Sequence, residues 1–266
     1  MLPIYKAFSI TEYAIEGGSS LPCIMSVIDD EGNILKQDFV VKVYRATNWS
    51  KTYYEVFGSV LAIELGLQTP KPALIDIPQN ILNELKKHPK YEKLDLKAGI
   101  YFGSEYLPNA TSFNPNFPMS QYALWSLESI FAFDVLIRNF DRRAEKPNLL
   151  SFKKDLFVID HEMAFASITS SMAFEVEKWH FILNSNNSGH ALRLFLKKNN
   201  EKNKVEFAEF FENFRTLQPN ILYSYMEQLV ENDLEPIDIQ EIISYLCLIK
   251  QKTQDFATLL NTLLLH

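Results

Sequence analysis

The sequence predicts an α+β protein with two lobes, a β-rich N-terminal lobe and a mainly helical C-terminal lobe. Short β-rich runs separated by turn residues occupy the first hundred residues, and apolar residues at helical spacing dominate from Gln121 onward. Between them lies PNATSFNPNFPM, a connector rich in Pro, Asn and Ser. We therefore predict an N-terminal domain over residues 1–107 and a C-terminal domain over residues 108–266.

In the N-terminal lobe, turn residues separate segments of strand and helix character. LPCIMSVIDD and ILKQDFVVKVY, joined by the turn EGN, predict an antiparallel hairpin. KTYYEVFGSVLAIELG predicts a helix that begins near Lys51 and ends at Gly66. PKPALIDI and GIYFGSEYL are typical of strands, and ILNELKKHPKYEKLDLK indicates a mostly solvated helix or loop.

In the C-terminal lobe, QYALWSLESIFAFDVLIRNF predicts a long and almost fully buried helix. The loop that follows leads into a predicted hairpin of strands Leu149–Phe152 and Leu156–Ile159, which presents acidic residues. Apolar periodicity predicts helices from VEFAEFFENF to the last residues, after a solvated linker around LKKNNEKNK.

Composition restricts the class of partner. With 47% hydrophobic and 22% charged residues, the chain of 266 residues is typical of a folded protein with a real core. Its formal net charge of -7 argues against direct binding to nucleic acid or to an anionic membrane. We therefore expect small molecules or proteins as partners.

Cysteine usage and hydropathy indicate the compartment. The two cysteines lie far apart in sequence, which excludes a disulfide framework and a cysteine-based zinc motif. No uninterrupted apolar run reaches the ~20 residues that a membrane span requires, and the N-terminus lacks the pattern of a signal peptide. A reducing cytoplasm is the predicted location.

Several residues fit the roles that phosphoryl transfer requires: a phosphate cradle, a cation, metal ligands and a carboxylate near the attacking hydroxyl. Gly17, Gly18, Ser19 and Ser20 form a candidate cradle, because glycine lets backbone N–H groups approach phosphate oxygens and serine hydroxyls can donate to them. A plain flexible turn is the alternative interpretation of these four residues.

The candidate cation is Lys42, which lies in the predicted apolar strand FVVKVY. Strand alternation turns Lys42 away from its two valine neighbours, and a lysine in that position needs a partner. Glu55 on the following helix is the natural one, with Glu64 as a competitor. Together they predict the Lys–Glu pair that positions ATP phosphates.

Two acids and an amide supply the remaining roles. Asp141 in NFDRRAEKPNLL can accept or orient the proton of a substrate hydroxyl. Asn148 and Asp160 offer the oxygen ligands that Mg²⁺ prefers. Asp134, inside the buried helix, is expected to hydrogen-bond the loop at Asp141, because a buried acid needs a partner.

These motifs resemble the HipA-like kinase family, specifically its compact single-module bacterial members. The resemblance runs from about Glu16 to Phe165 and is carried by GGSS, VVK, YYE, ELGL, TPKP, GIYFGSEYL, FDVLIRNFDRRAEKPNLL and VIDHEMAF. It implies a protein-kinase-like fold, ATP and Mg²⁺ bound between the lobes, and phosphorylation of serine or threonine on a protein. A toxin–antitoxin setting with an antitoxin-like partner is also implied.

Carried over by motif, the resemblance implies a role for individual residues. Lys42 contacts the phosphates, Asp141 is the catalytic acid/base, and Asn148 and Asp160 are the metal ligands. The adenine hinge is formed by Glu105, Tyr106 and Leu107. One departure stands out, because Lys146 replaces the first Asn of the family's Asn-Pro-Asn.

Two other functions share these features. A small-molecule kinase of the aminoglycoside or choline type uses the same acids and adds a carboxylate-lined pocket, for which Glu162, Glu175 and Glu177 are candidates. A pseudokinase keeps the fold to hold a nucleotide or a partner without turnover, and the Lys146 departure is its support in the sequence.

Overall fold

The computed structural model divides the chain into two compact units. It describes residues 1–13, 20–44, 48–114, 116, 118–165, 168, 189–201 and 205–265. The first unit comprises Met1–Phe57, Pro70–Pro108 and Tyr223–Ile237, and the second comprises Gly58–Thr69, Asn109–Leu222 and Asp238–His266. The domain boundary after Leu107 stays a prediction.

Eight α-helices fall within the described ranges. They are α1 Ser50–Glu64, α2 Gln79–Leu85, α3 Leu124–Leu136, α4 Arg193–Asn200, α5 Ala208–Thr216, α6 Ile221–Glu231, α7 Gln240–Gln251 and α8 Thr253–Leu265. Helix α4 includes most of the predicted solvated linker, so that prediction was wrong for residues up to Asn200. Apolar residues on one face of α4, such as the fully buried Leu196, stabilise the helix there.

A closed barrel of five strands forms the first unit. The strands are β1 Ile4–Glu12, β2 Cys23–Ile28, β3 Phe39–Val41, β4 Pro72–Ile77 and β5 Gly99–Glu105, hydrogen-bonded in the order β1-β2-β3-β5-β4. Strands β2 and β3 form the predicted antiparallel pair, and β1 pairs with β2 and, in parallel, with β4. The sequence motifs did not indicate β1, because Ala7 is its one fully buried residue and no clean apolar alternation results.

The segment after β4 packs into the core of the barrel. Ile81, Leu82 and Leu85 of α2 are buried there, together with Tyr91 and Leu96 from the loop that follows. More of the segment's residues are exposed than buried, as predicted for a mostly solvated helix or loop, but the sequence did not indicate that these apolar residues join the core. Its many lysines and glutamates give the segment a polar sequence, and the burial of its apolar residues is determined by tertiary packing.

A three-stranded antiparallel sheet lies in the second unit. It consists of β6 Thr111–Ser112, β7 Leu149–Phe152 and β8 Asp155–Val158, in the order β6-β7-β8. The register pairs Leu149 with Val158, so the residue before β7 and the residues after β8 meet at one end of the hairpin. That end carries the polar residues of the candidate site.

Helix α3 is the central element of the second unit and is buried all round from Leu127 to Leu136. Its Phe131 ring stacks on Phe207 at 6.3 Å between ring centroids. An all-round apolar surface is expected of a helix covered on every side, which agrees with the sequence prediction. The polar Asp134 on this helix consequently has to find its partners within the protein.

Gly58 of α1 is expected to resist substitution. An added Cβ atom would lie 2.4 Å from the Cβ atom of His161, a buried residue. In an exposed helix Ala is favoured over Gly by about 1 kcal/mol, but overpacking costs about 1–3 kcal/mol. We therefore expect Gly58→Ala to lower the free energy of unfolding measured in urea. An unchanged or higher midpoint would show that His161 moves away without cost.

Candidate active site

The ion pair between Lys42 and Glu55 is the polar centre of the first unit. Lys42 directly follows β3, and its backbone N–H donates to the Phe102 carbonyl at 3.0 Å. Its ammonium contacts Glu55 Oε1, and the side chains are 12% and 1% exposed respectively. Tyr44 also donates its hydroxyl to Glu55 Oε1, at 3.4 Å. A carboxylate this deeply buried is stable only when a cation is paired with it. The ion pair therefore keeps the Lys42 side chain next to Glu55.

Glu64, the competing partner for Lys42, lies exposed at the end of α1. In the candidate phosphate cradle, Gly17, Gly18 and Ser19 lie outside the described residues. Ser20 is described, and its side chain is buried. The cradle therefore stays a prediction.

The three candidate hinge residues lie at the end of β5. The Glu105 N–H donates to the Lys71 carbonyl at 2.9 Å, and the Tyr106 N–H donates to the Asp38 carbonyl at 2.8 Å. Both N–H groups are thus engaged with backbone carbonyls of the first unit. A hinge contact through these two residues would have to use their carbonyl oxygens.

In the second unit, four polar side chains converge at the end of the β7–β8 hairpin. The ammonium of Lys146 lies 2.6 Å from Asp141 Oδ2 and 2.9 Å from Asp160 Oδ2. The Asn148 amide nitrogen donates to Asp141 Oδ2 at 3.2 Å. The structure thus brings together the three residues predicted to act on metal and substrate, and adds Lys146 between the two carboxylates.

Backbone geometry places the acid and the amide at this point. The Ile159 N–H donates to the Asn148 carbonyl at 3.2 Å, which continues the hairpin beyond its last strand pair. Asn148 and Asp160 both adopt left-handed backbone angles, with φ of 45° and 64°. Asn and Asp tolerate this region better than other side chains. Their side chains consequently meet where the two strands end.

A buried ionic network beneath the loop fixes its path. Arg142 Nε donates to Asp134 Oδ2 at 2.5 Å, and both side chains are fully enclosed, with 0% and 1% exposed. Arg142 Nη1 also donates to the carbonyls of Pro147 and Asn148. One guanidinium therefore ties α3 to the backbone on which Lys146 and Asn148 are mounted.

Asp134 is ionised in this setting. Burial by itself would raise the pKa of Asp134, but the Arg142 charge and a hydrogen bond from His190 outweigh it and leave the pKa below its ordinary value of 3.8. His190 Nε2 lies 2.9 Å from Asp134 Oδ2. The sequence indicated that Asp134 would reach the loop, but nothing in it pointed to His190, which is 56 positions away.

Two carboxylates that share one ammonium, with an amide beside them, make a site suited to a hard cation. The carboxylates of Asp141 and Asp160 share a cation in this structure, and Asn148 retains its amide oxygen as a further ligand because it donates through its nitrogen. Carboxylate and amide oxygens are the donors that Mg²⁺ takes in proteins. The residues therefore fit a divalent metal bound with a phosphorylated ligand.

Comparison with known proteins assigns the family. The sequence pattern of the HipA-like kinases matches residues 18–253, which is most of the chain. The chain belongs to the HipA-like kinase family. In fold it is similar to the Helicobacter pylori proinflammatory kinase CtkA, with a TM-score of 0.50 and 12% identity over 99% of this chain and 98% of that one. At this identity the likeness concerns the fold alone.

A search of curated proteins returned no match to this chain. Within the described residues, no helix combines the length and the apolar character needed to cross a bilayer.

Proposed function

We propose that the chain is an ATP- and Mg²⁺-dependent phosphotransferase with a two-lobed, protein-kinase-like fold that phosphorylates a serine or threonine hydroxyl on a protein or on itself. The observation that carries the proposal is the convergence of Asp141 and Asp160 on one ammonium, with Asn148 hydrogen-bonded to Asp141. Membership of a kinase family supports ATP as the phosphate donor. The protein substrate, an antitoxin-like partner and the cytoplasmic location stay predictions.

Each residue has a defined part in this chemistry. Asp141 accepts or orients the proton of the attacking hydroxyl, because its carboxylate is held by hydrogen bonds and still partly exposed. Asn148 and Asp160 would hold Mg²⁺, which neutralises charge on the phosphates when it is bound. Lys42, oriented by Glu55, binds phosphate oxygens, and Gly17 to Ser20 would supply N–H and hydroxyl donors to them.

At the proposed adenine hinge, two backbone N–H groups already have hydrogen-bond partners. The N–H groups of Glu105 and Tyr106 are engaged by Lys71 and Asp38. We therefore assign the N–H donor of the hinge to Leu107 and an acceptor role to the carbonyl oxygens of Glu105 or Tyr106. Adenine presents both an acceptor and a donor edge, which such a pair would complement.

A pseudokinase is the second candidate, and one observation favours it. Lys146 pairs with both carboxylates at once, and a nucleotide-binding module without turnover would tolerate that arrangement. For the small-molecule kinase, Glu162 is buried, while Glu175 and Glu177 lie outside the described residues.

Incubation of the purified chain with γ-labelled ATP and Mg²⁺ separates these functions. Label on the protein, on serine or threonine, supports the proposed kinase. Nucleotide binding without hydrolysis or transfer would favour the pseudokinase. Label on an added aminoglycoside or choline, with none on protein, would favour the small-molecule kinase.

Replacing Lys42 with Met is expected to reduce phosphate transfer on the order of 10²-fold, because a fixed cation at the phosphates is lost. The same change also leaves Glu55 buried without its ammonium, so thermal unfolding should be recorded alongside activity. Lys36→Met is the matched control, since Lys36 is an exposed lysine of the same unit. Equal activity of the two variants would contradict the assignment of Lys42.

A further inference from the structure

Lys146 is a charged residue that the general chemistry of phosphoryl transfer leaves unassigned. Its ammonium lies within 3 Å of a carboxylate oxygen of both Asp141 and Asp160.

The loop holds Lys146 in place through its backbone. The Lys146 carbonyl accepts a hydrogen bond from the Arg143 N–H at 3.0 Å. The next residue is Pro147, whose ring restricts φ and whose carbonyl accepts from the buried Arg142 guanidinium at 3.3 Å. The backbone is therefore hydrogen-bonded at Lys146 and at the residue after it. This fixed backbone holds the Lys146 ammonium close to the two carboxylates.

Electrostatics explains what the ammonium does there. Two carboxylates that approach the same point repel one another, and a cation between them offsets that repulsion. A divalent cation could do the same, but it would compete with the ammonium for Asp141 Oδ2 and Asp160 Oδ2. Lys146 therefore occupies a position that a metal ion would otherwise take.

We propose that the Lys146 ammonium is a fixed cation of the phosphotransfer site that replaces one divalent ion between Asp141 and Asp160, so that the site binds a single Mg²⁺ with its nucleotide. The identification of the site rests on the proposed function. Asn148 and Asp160 would hold that single ion. Removing the ammonium should open a second position for a divalent cation.

Titration with Mn²⁺, a paramagnetic substitute for Mg²⁺, tests this directly in the full chain. Free Mn²⁺ is followed by electron paramagnetic resonance, with and without a non-hydrolysable ATP analogue. In Lys146→Met we expect Mn²⁺ affinity to rise on the order of tenfold or more, because two carboxylates lose their compensating charge. With the analogue bound, we expect two Mn²⁺ ions per chain in place of one.

Two further variants control for charge and for folding. Lys154→Met removes the same charge from an exposed turn of the same unit and should leave Mn²⁺ binding at the parent level. Lys146→Arg keeps a cation at the site and should also bind Mn²⁺ as the parent does. Unchanged or weaker Mn²⁺ binding by folded Lys146→Met, or a rise of equal size in Lys154→Met, would overturn the proposal.

The Mn²⁺ titration and the phosphate-transfer assay can fail independently of each other. Phosphate transfer by the parent with unchanged Mn²⁺ binding in Lys146→Met would overturn the role of Lys146 and leave the kinase intact. If Lys146→Met binds Mn²⁺ more tightly but the parent transfers no phosphate, the role of Lys146 as a fixed cation is supported and the proposed kinase activity is not.

Discussion

Replacing Asp141 with Asn is expected to reduce phosphate transfer by about 10²- to 10⁴-fold, the range over which a positioned acid or base contributes. The substitution preserves size and can still accept hydrogen bonds from Lys146 and Asn148, which lie 2.6 and 3.2 Å from Asp141 Oδ2. It removes the negative charge that draws the proton from the attacking hydroxyl. Transfer of labelled phosphate from ATP measures the loss.

The control for this prediction is Asp155→Asn, which neutralises an exposed acid at the start of β8 in the same unit. We expect it to transfer phosphate at the parent rate. Circular dichroism and thermal unfolding should show Asp141→Asn to be folded, because the buried Arg142 still anchors the loop to Asp134 and to the Pro147 carbonyl. Equal transfer by both variants would remove Asp141 from the mechanism.

Replacing Arg142 with Met should destabilise the second unit by about 3–5 kcal/mol, the cost of leaving a buried charge without its partner. Asp134 would retain His190 and the Asn139 amide, which lies 3.3 Å from Asp134 Oδ1, but it would lose its permanent cation. The loop would also lose the guanidinium that holds the carbonyls of Pro147 and Asn148. Urea unfolding followed by tryptophan fluorescence and circular dichroism measures the effect.

The neighbouring Arg143 provides the comparison for Arg142. Arg143 is 35% exposed and pairs with Asp141 at 3.3 Å, so Arg143→Met should change stability by less than about 1 kcal/mol. Combining Arg142→Met with Asp134→Leu removes both buried charges and should recover part of the loss. If Arg142→Met is no more destabilising than Arg143→Met, the network does not support the loop.

The ionic network of Asp134 and Arg142 also predicts that the stability of the protein depends on pH. The folded pKa of Asp134 lies below its ordinary value of 3.8, with the Arg142 charge among the causes that lower it against burial. The resulting stabilisation is present above that ordinary pKa and is lost as the pH falls through the folded one. The difference in stability between the parent and Arg142→Met should therefore shrink in acid.

Some helices and strands could be predicted from the sequence, because the residue patterns that indicate them are local. Helix α3 is strongly apolar, and β4 and the centre of β5 are short, largely apolar runs close to turn residues. In contrast, β1 was not predicted, and the core packing of the segment from α2 to Leu96 was not indicated. Their burial depends on what packs against them and not on their own periodicity.

The sequence by itself determined the family, the order of the candidate residues along the chain and the chemical class of each, because motifs and residue types are properties of the chain alone. The tertiary structure decided which of those residues touch. It placed Lys146 between two carboxylates and brought His190 to Asp134 across 56 positions. Side-chain contacts between distant segments depend on strand register and loop path, which are set by packing of the whole unit and which no local pattern encodes.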